Sequence, residues 1–486
     1  LKRLSDVYDE EHADAMAIYA DPELADLPEN HRFAIPAGAH WSELRGVTEN
    51  IGSAVLKAMR AVEAANPDTL PGVFGDGDWG NKDLLSDRTL SDLIEHFSSK
   101  TLSIANLPED ELGNGYEFLI KKFADDSGHT AQEFYTNRTL VHLMTMMLEP
   151  QPGESVYDPT CGTGGMLISA VAELKRQGKE WRNLRLYGQE LNYGTSAIAR
   201  MNAFLHGVTD AHIAHGDTLA RPAFHDSRGR LSTFDVVLAN PPYSIKAWNR
   251  DAFAKDPYGR NLWGVPPQGR ADYAFFQHIA RSLGPQTGRA AILFPHGVLF
   301  RREEAALREA LVKSDLVECV LGLGAGLFYN SPMEAVVITL RANKPEHQRG
   351  RILFINAVNE VAREQAQSFL RPGHQTKILD AYRAFADVDG FAAVADRAQI
   401  AEKGFSLAIP LYVSSQTTSD AAPSVRQALS SWRDAAAAAD AAVADVLASD
   451  DFGIEVRTDE ALATQIGITG VPTFVLDQKY GVTGAQ

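Results

Sequence analysis

Ten residues constrain this chain more than any others: Phe234-Asp235-Val236-Val237-Leu238-Ala239-Asn240-Pro241-Pro242-Tyr243. Val236, Val237 and Leu238 form a short apolar run, the pattern of a strand covered on both faces. Pro241 and Pro242 cannot continue a central strand, so the strand ends at Asn240. Each proline also fixes its own φ and restricts the residue before it. The stretch therefore predicts an α/β sheet that holds a carboxamide at a strand's carboxyl end, where open α/β sheets bind ligands. That corner suits methylation of an exocyclic amine. Such a nitrogen is a poor nucleophile because its lone pair is delocalised into the ring. The Asn240 side-chain oxygen and the Pro241 carbonyl can each accept one of its N–H bonds and localise the lone pair as charge develops. Tyr243 can stack on the base. The competing reading is a strand followed by a proline turn.

A second stretch supplies the cofactor side. Ser155-Val156-Tyr157-Asp158-Pro159-Thr160-Cys161-Gly162-Thr163-Gly164-Gly165-Met166-Leu167 reads as strand, glycine-rich turn and a helix to about residue 176. The glycines allow a tight turn and let backbone N–H groups approach a ligand. No Gly-Lys-Ser/Thr ends the turn, so it is not a phosphate loop, and it does not fit G-x-G-x-x-G. Asp158 repels a pyrophosphate but suits a cationic amino-acid ligand. Residues 184–190 predict a second strand ending in Glu190, whose carboxylate can accept both ribose hydroxyls. After a helix at 195–205 comes Asp217, a further strand-end acid able to accept from an adenine amine. Singly, each carboxylate is a helix cap or a solvated charge. Asp158, Glu190 and Asp217, followed by Asn240, mark one edge of a sheet as a site.

The rest of the chain is read around these two stretches. Its 486 residues suffice for about three domains. Hydrophobic residues at 45% can bury a sizeable core. No apolar run approaches the ~20 residues of a membrane span, and the start carries no secretory signal. Cys161 and Cys319 form no metal spacing and suit a reduced, cytoplasmic protein; no metal is expected. The net charge of −17 opposes unaided DNA binding, so a separate subunit is expected to supply much of any grip on DNA. Residues 1–30 hold nine acids and two bases.

Residues 41–123 read as mostly helical, with Ile51, Val55, Met59 and Val62 at helical spacing and a loop at 67–80. Gln132-Glu133-Phe134-Tyr135-Thr136-Asn137-Arg138 leads into a helix at 140–148, with Thr136 as the expected N-cap. Lys246, Trp248, Arg250, Lys255, Tyr258, Arg260 and Trp263 lie on a loop that is either plain surface or DNA-facing. Further strands are expected at 289–294, 316–321, 334–341 and 352–356, and helices from about 357. A polar linker at 415–423 and an alanine-rich helix at 424–448, suited to a partner helix, follow.

In that order, Glu133-Phe134-Tyr135-Thr136, Asp158-Pro159-Thr160-Cys161-Gly162-Thr163-Gly164-Gly165 and Asn240-Pro241-Pro242-Tyr243 resemble the methylation subunit of type I restriction-modification systems, from the start to about residue 447. The resemblance implies an adenine-N6 DNA methyltransferase using S-adenosylmethionine, with a Rossmann-like α/β sheet between a helical N-terminal domain (1–125) and a helical C-terminal region for assembly (357–448). The catalytic domain is then 126–356. Glu133, Phe134, Tyr135, Thr136, Asn137, Arg138, Thr163, Gly164, Gly165 and Glu190 are implied cofactor contacts, joining Asp158 and Asp217. Asn240, Pro241, Pro242 and Tyr243 are implied to hold the flipped adenine. The family usually has proline where this chain has Asn137, and Leu1 matches a point inside its first helical domain, so an earlier start is expected. Implied partners are a specificity subunit, a second methylation subunit, motor-nuclease subunits and double-stranded DNA. Cytosine-N4 methylation, or a non-catalytic assembly subunit, are the rival expectations. The last 38 residues, 449–486, with Gly467-Ile468-Thr469-Gly470-Val471-Pro472-Thr473-Phe474, are similar instead to the end of thioredoxin-like disulfide oxidoreductases. They carry no Cys-x-x-Cys and are too few for a core, so they read as a fusion scar without redox activity.

Overall fold

The computed structural model describes residues 1–126, 136–327, 334–364, 367–413, 473–476 and 480–483. They belong to two compact units, Leu1–Ser415 and Gln416–Gln486. The first is built on a sheet whose strands are β1 (Ser155–Asp158), β2 (Arg185–Glu190), β3 (His212–His215), β4 (Val236–Ala239), β5 (Arg289–Pro295), β6 (Val317–Leu323), β7 (Ala335–Arg341) and β8 (Arg351–Ala357). A small hairpin, β9 (Ala362–Glu364) with β10 (Gln367–Phe369), precedes the ninth sheet strand, β11 (Ala392–Asp396). Across the sheet the order is β11-β8-β6-β7-β5-β4-β1-β2-β3. From β3 to β5 all neighbours are parallel. β7 is antiparallel to both β5 and β6. The order reverses at β1, with β2 on one side and β4 on the other, so the crevice beyond their carboxyl ends is the expected ligand position.

The central strands are buried throughout, and successive side chains alternate between two cores, as the two-residue period of a strand covered on both faces requires. Val236 and Leu238 of β4 join one core, with Ala291 and Leu293 of β5. Val237 and Ala239 join the other, with Ala290, Ile292 and Phe294.

Among the described residues the N-terminal region holds the helices α1 (Lys2–Tyr19), α2 (Pro22–Ala25), α3 (Trp41–Arg45), α4 (Ile51–Ala65), α5 (Asp87–Ser98) and α6 (Glu109–Asp126). They enclose two small cores. The stripe seen in the sequence serves both: Ile51, Val55 and Met59 face one, Val62 the other. The first of the sheet-covering helices, α7 (Arg138–Leu148), α8 (Gly165–Arg176) and α9 (Tyr193–Leu205), then alternate with strands. α10 (Arg250–Ala254), α11 (Asp272–Arg281), α12 (Ala305–Lys313), α13 (Pro372–Ala384) and α14 (Arg397–Glu402) complete this unit.

Two expectations change. The sheet does not end at residue 356, and the region after it is not purely helical. β11 adds to β8 in antiparallel register, from Ala392↔Ile355 to Asp396↔Arg351. Its sequence, Ala392-Ala393-Val394-Ala395-Asp396, favours helix, but an open sheet edge overrides a weak local preference. The cap of α7 is Asn137, not Thr136: the Asn137 Oδ1 accepts from the Thr139 N–H at 3.0 Å.

In the second unit the described residues form an antiparallel hairpin, β12 (Thr473–Leu476) with β13 (Tyr480–Thr483). The expected linker at 415–423, the alanine-rich helix at 424–448 and the rest of the tail lie outside the described residues. No helix among the described residues is long and apolar enough to cross a membrane.

Candidate active site

The site forms where β1 and β4 end side by side. Val156 and Tyr157 pair with Val236 and Val237, which brings Asp158 and Asn240 to the same edge. One concave pocket is lined by both, and by Thr136, Arg138, Thr163 and Gly165. Residues expected from three separate stretches of sequence thus share one pocket.

The glycine-rich turn shapes its floor. Gly162 and Gly164 have φ of 52° and 80°, which glycine adopts without strain. Gly165 opens α8 and has no room for a side chain, because an added Cβ would lie 2.2 Å from the Arg138 guanidinium. The Asn202 side chain donates to the Thr163 carbonyl at 3.0 Å and fixes the far side of the turn.

Two carboxyl groups face this turn with different electrostatics. Asp158 is only 2% exposed, and burial, with Glu190 nearby, pushes its carboxyl up to about 8. The Thr160 N–H donates to it at 3.0 Å, and among the described residues it forms no ion pair. Glu190 accepts from the Gly162 N–H at 3.0 Å and from the Asn192 N–H at 2.8 Å, so it braces the turn at the end of β2. Asp217 lies outside this pocket's lining. Its Oδ1 accepts from Leu219 and Ala220 N–H at 2.8 and 3.1 Å, the geometry of a capping aspartate.

Asn240 is held at both ends of its amide. Its Nδ2 donates to the Thr136 hydroxyl at 2.9 Å, and the Tyr243 hydroxyl donates to its Oδ1. Pro241 is buried behind it. Tyr243 is partly buried and packs against the adjoining core. Ser244 then turns the chain with φ 51°, its N–H donating to Asp272 at 2.7 Å.

The sequence did not announce two supporting groups. Glu117 of α6 reaches Arg138 at 2.5 Å, so the helical N-terminal region touches the pocket through that arginine. Burial raises the Glu117 carboxyl above its ordinary value, against the opposing pull of Arg138. The second is Arg260, from the loop whose role was open. It is 2% exposed and pairs at 2.6 Å with an equally buried Asp256, while its guanidinium donates to the carbonyls of Thr218 and Leu219 at 2.8 Å each. Trp263 packs edge-on against Phe276. These two are framework, whereas Lys246 and Lys255 stay exposed. Nothing in the spacing of Glu117 or Arg260 distinguishes them from surface charges; only the folded arrangement does. Glu133, Phe134 and Tyr135 lie outside the described residues. Among the described residues no cluster of His, Cys, Asp or Glu could hold a metal ion.

Comparisons with known proteins agree with this arrangement. Residues 108–421 match the model of the N-6 DNA methylase family, and residues 1–97 that of the HsdM N-terminal domain. A DsbA-like thioredoxin domain model matches residues 384–486, a longer span than the resemblance read from residue 449. Where it overlaps the methylase match, β11 belongs to the large sheet. The chain is 31% identical over 397 residues to the type I restriction enzyme MjaIX methylase subunit of Methanocaldococcus jannaschii, covering 78% of this chain and 68% of that protein. It is 35% identical over 338 residues to the MjaVIII methylase subunit of the same organism, covering 66% of this chain and 56% of the relative. Among solved structures, a type I restriction-modification methyltransferase subunit from Streptococcus thermophilus aligns with a TM-score of 0.73 at 30% identity, over 85% of this chain and 92% of that one.

Proposed function

Since the chain belongs to the N-6 DNA methylase family, among the methylase subunits of type I restriction enzymes, we propose that it transfers a methyl group from S-adenosylmethionine to adenine N6 in DNA. The observation that carries this reading is the juxtaposition of Asp158 and Asn240 in one pocket across the switch point of the sheet. The pocket's chemistry fits the cofactor: a buried carboxyl suits a positively charged amino-acid moiety, and the Glu190 carboxylate at the end of β2 is the proposed acceptor for ribose hydroxyls. When bound, the cofactor supplies a methyl group activated on a sulfonium. Thr136, Asn137, Arg138, Asp158, Thr163, Gly164, Gly165 and Glu190 are the proposed cofactor residues within the described chain. Glu133, Phe134, Tyr135 and Asp217 complete the proposal on resemblance and sequence position.

The chain's own contribution at the other end is acceptor activation. The Asn240 Oδ1 and the Pro241 carbonyl take the two N–H bonds of the amine, and the nitrogen lone pair turns toward the methyl group as charge develops. Pro241 and Pro242 fix the backbone that carries both acceptors, so little reorganisation of the main chain is needed. The base must leave the duplex to reach this corner, where Tyr243 is the proposed stacking partner. The proposed setting is cytoplasmic, in a complex with a specificity subunit, a second methylation subunit and, for restriction, motor-nuclease subunits. In this reading residues 449–486 are a scar without redox function, since the chain's two cysteines are Cys161 and Cys319.

Incubating the chain and its specificity subunit with DNA and labelled cofactor, then analysing digested nucleosides, tests the proposal. N6-methyladenine supports it. N4-methylcytosine would move the reading to the other exocyclic amine, and no methylated nucleoside would leave an assembly subunit.

A further inference from the structure

Thr136 and Asn240 are 104 residues apart in the chain, yet they meet in a direct side-chain hydrogen bond of 2.9 Å. Both line the same pocket, Thr136 from the segment just ahead of α7 and Asn240 from the end of β4. The direction of this bond matters. Turned one way, the Asn240 amide aims its oxygen at an incoming amine; turned the other, it aims two N–H donors at a group that is itself a donor. Backbone rigidity from Pro241 and Pro242 does not choose between them, since rotation about the last side-chain bond is nearly two-fold.

The two hydroxyls that grip the amide make the choice. A phenol is more acidic than an aliphatic alcohol and is the better donor, so the Tyr243 hydroxyl donates to Oδ1. The threonine hydroxyl, the better acceptor, takes the Nδ2 proton. Oδ1 keeps its second lone pair for the substrate. Thr136 is also immobilised from behind. The next residue, Asn137, caps α7 through Oδ1 and donates from Nδ2 to the Ser368 carbonyl at 2.7 Å, tying the segment to β10.

We propose that Thr136 is a positioning residue for methyl transfer: by accepting the Asn240 Nδ2 proton it sets the amide so that its oxygen faces the target amine. The inference rests on the methyltransferase reading and goes beyond it, because it gives Thr136 work at the acceptor rather than at the cofactor alone. It also links the two halves of the reaction, since one residue borders the cofactor pocket and orients the acceptor group.

The experiment compares wild type with Thr136→Val and Thr136→Ser in the complex with the specificity subunit. Valine keeps the shape and removes the acceptor; serine keeps the hydroxyl. At saturating DNA and cofactor, the valine variant should transfer methyl about 10- to 100-fold more slowly, as misplacement of a reacting group commonly costs. Because Thr136 also borders the cofactor pocket, the cofactor dissociation constant is measured in parallel so that the rates are compared at saturation, and the serine variant should recover most of the rate. An undiminished rate in Thr136→Val overturns the inference, as does a rate loss fully explained by weaker cofactor binding. A second readout needs no turnover: a neutron crystal structure of Thr136→Val, in which nitrogen and oxygen scatter differently, should show the Asn240 amide released from its present orientation, and an unmoved amide counts against the proposal. If wild type itself methylates nothing, the functional reading fails, while the crystallographic arm still decides whether Thr136 sets the amide.

Discussion

The most telling single group is Asp158. A carboxyl in the unfolded chain titrates near 3.9, and burial moves this one to about 8. Between those values the unfolded chain has given up a proton that the folded chain still holds. Its contribution to stability is therefore full below about pH 4 and is lost as pH rises through about 8. Asp158→Asn should remove that dependence and raise the melting temperature of the cofactor-free chain near pH 8, as differential scanning calorimetry would show; a lower melting temperature there would contradict the assignment. The same proton bears on binding. A cationic ligand draws the carboxylate form out, so cofactor affinity should rise from pH 6 to 8 in wild type. An affinity flat across that range in isothermal titration would mean the cation sits elsewhere. Arg260 makes a different point. Arg260→Met leaves Asp256 as a buried charge without its partner, a change that costs about 3–5 kcal/mol in comparable sites. Replacing both residues by apolar ones should be milder, and thermal unfolding of the two variants should rank them in that order.

Among the elements, strands and their ends were legible and supports were not. The apolar run of β4 with its double proline, and the glycine turn between β1 and α8, announce themselves because steric rules leave few alternatives. β5 through β8 are legible as apolar runs of strand length. β11 was not, because an alanine-rich five-residue segment carries no period that distinguishes helix from strand, and only its pairing with β8 decides. The packing of α6 on α9 was equally silent. There, Gly113 lies against the His206 ring, so close that an added Cβ would sit 2.6 Å from it. Gly113→Val should push α6 outward and with it Glu117, which braces Arg138 in the pocket. The expected result is a lower melting temperature together with cofactor affinity weakened roughly tenfold, in line with the loss of an orienting partner. Unchanged affinity with lowered stability would show that α6 packs beside the pocket without supporting it.

For the whole molecule, a net charge of −17 sets the terms of any encounter with DNA. Two of the basic and aromatic residues first considered for that contact, Arg260 and Trp263, are absorbed into the framework. The isolated chain should therefore bind duplex DNA weakly and without sequence preference, and gel-shift titration at fixed salt with and without the specificity subunit checks this. The order of the sheet has a further consequence, which concerns synthesis. β6 is made before β7, yet its partners in the sheet are β7 and β8, both made later. While the ribosome is producing residues 324–334, β5 is an open edge and β6 has nowhere to pair, a state that invites association with other nascent chains. Cys319 lies in β6 and is fully buried once the sheet closes, so its thiol dates the event. On stalled ribosomes carrying Cys161→Ser chains, Cys319 should react with a maleimide until residues 335–357 have left the exit tunnel, and become protected soon after. An interrupted message ending between these points would yield not half an enzyme but a chain with its stickiest edge exposed.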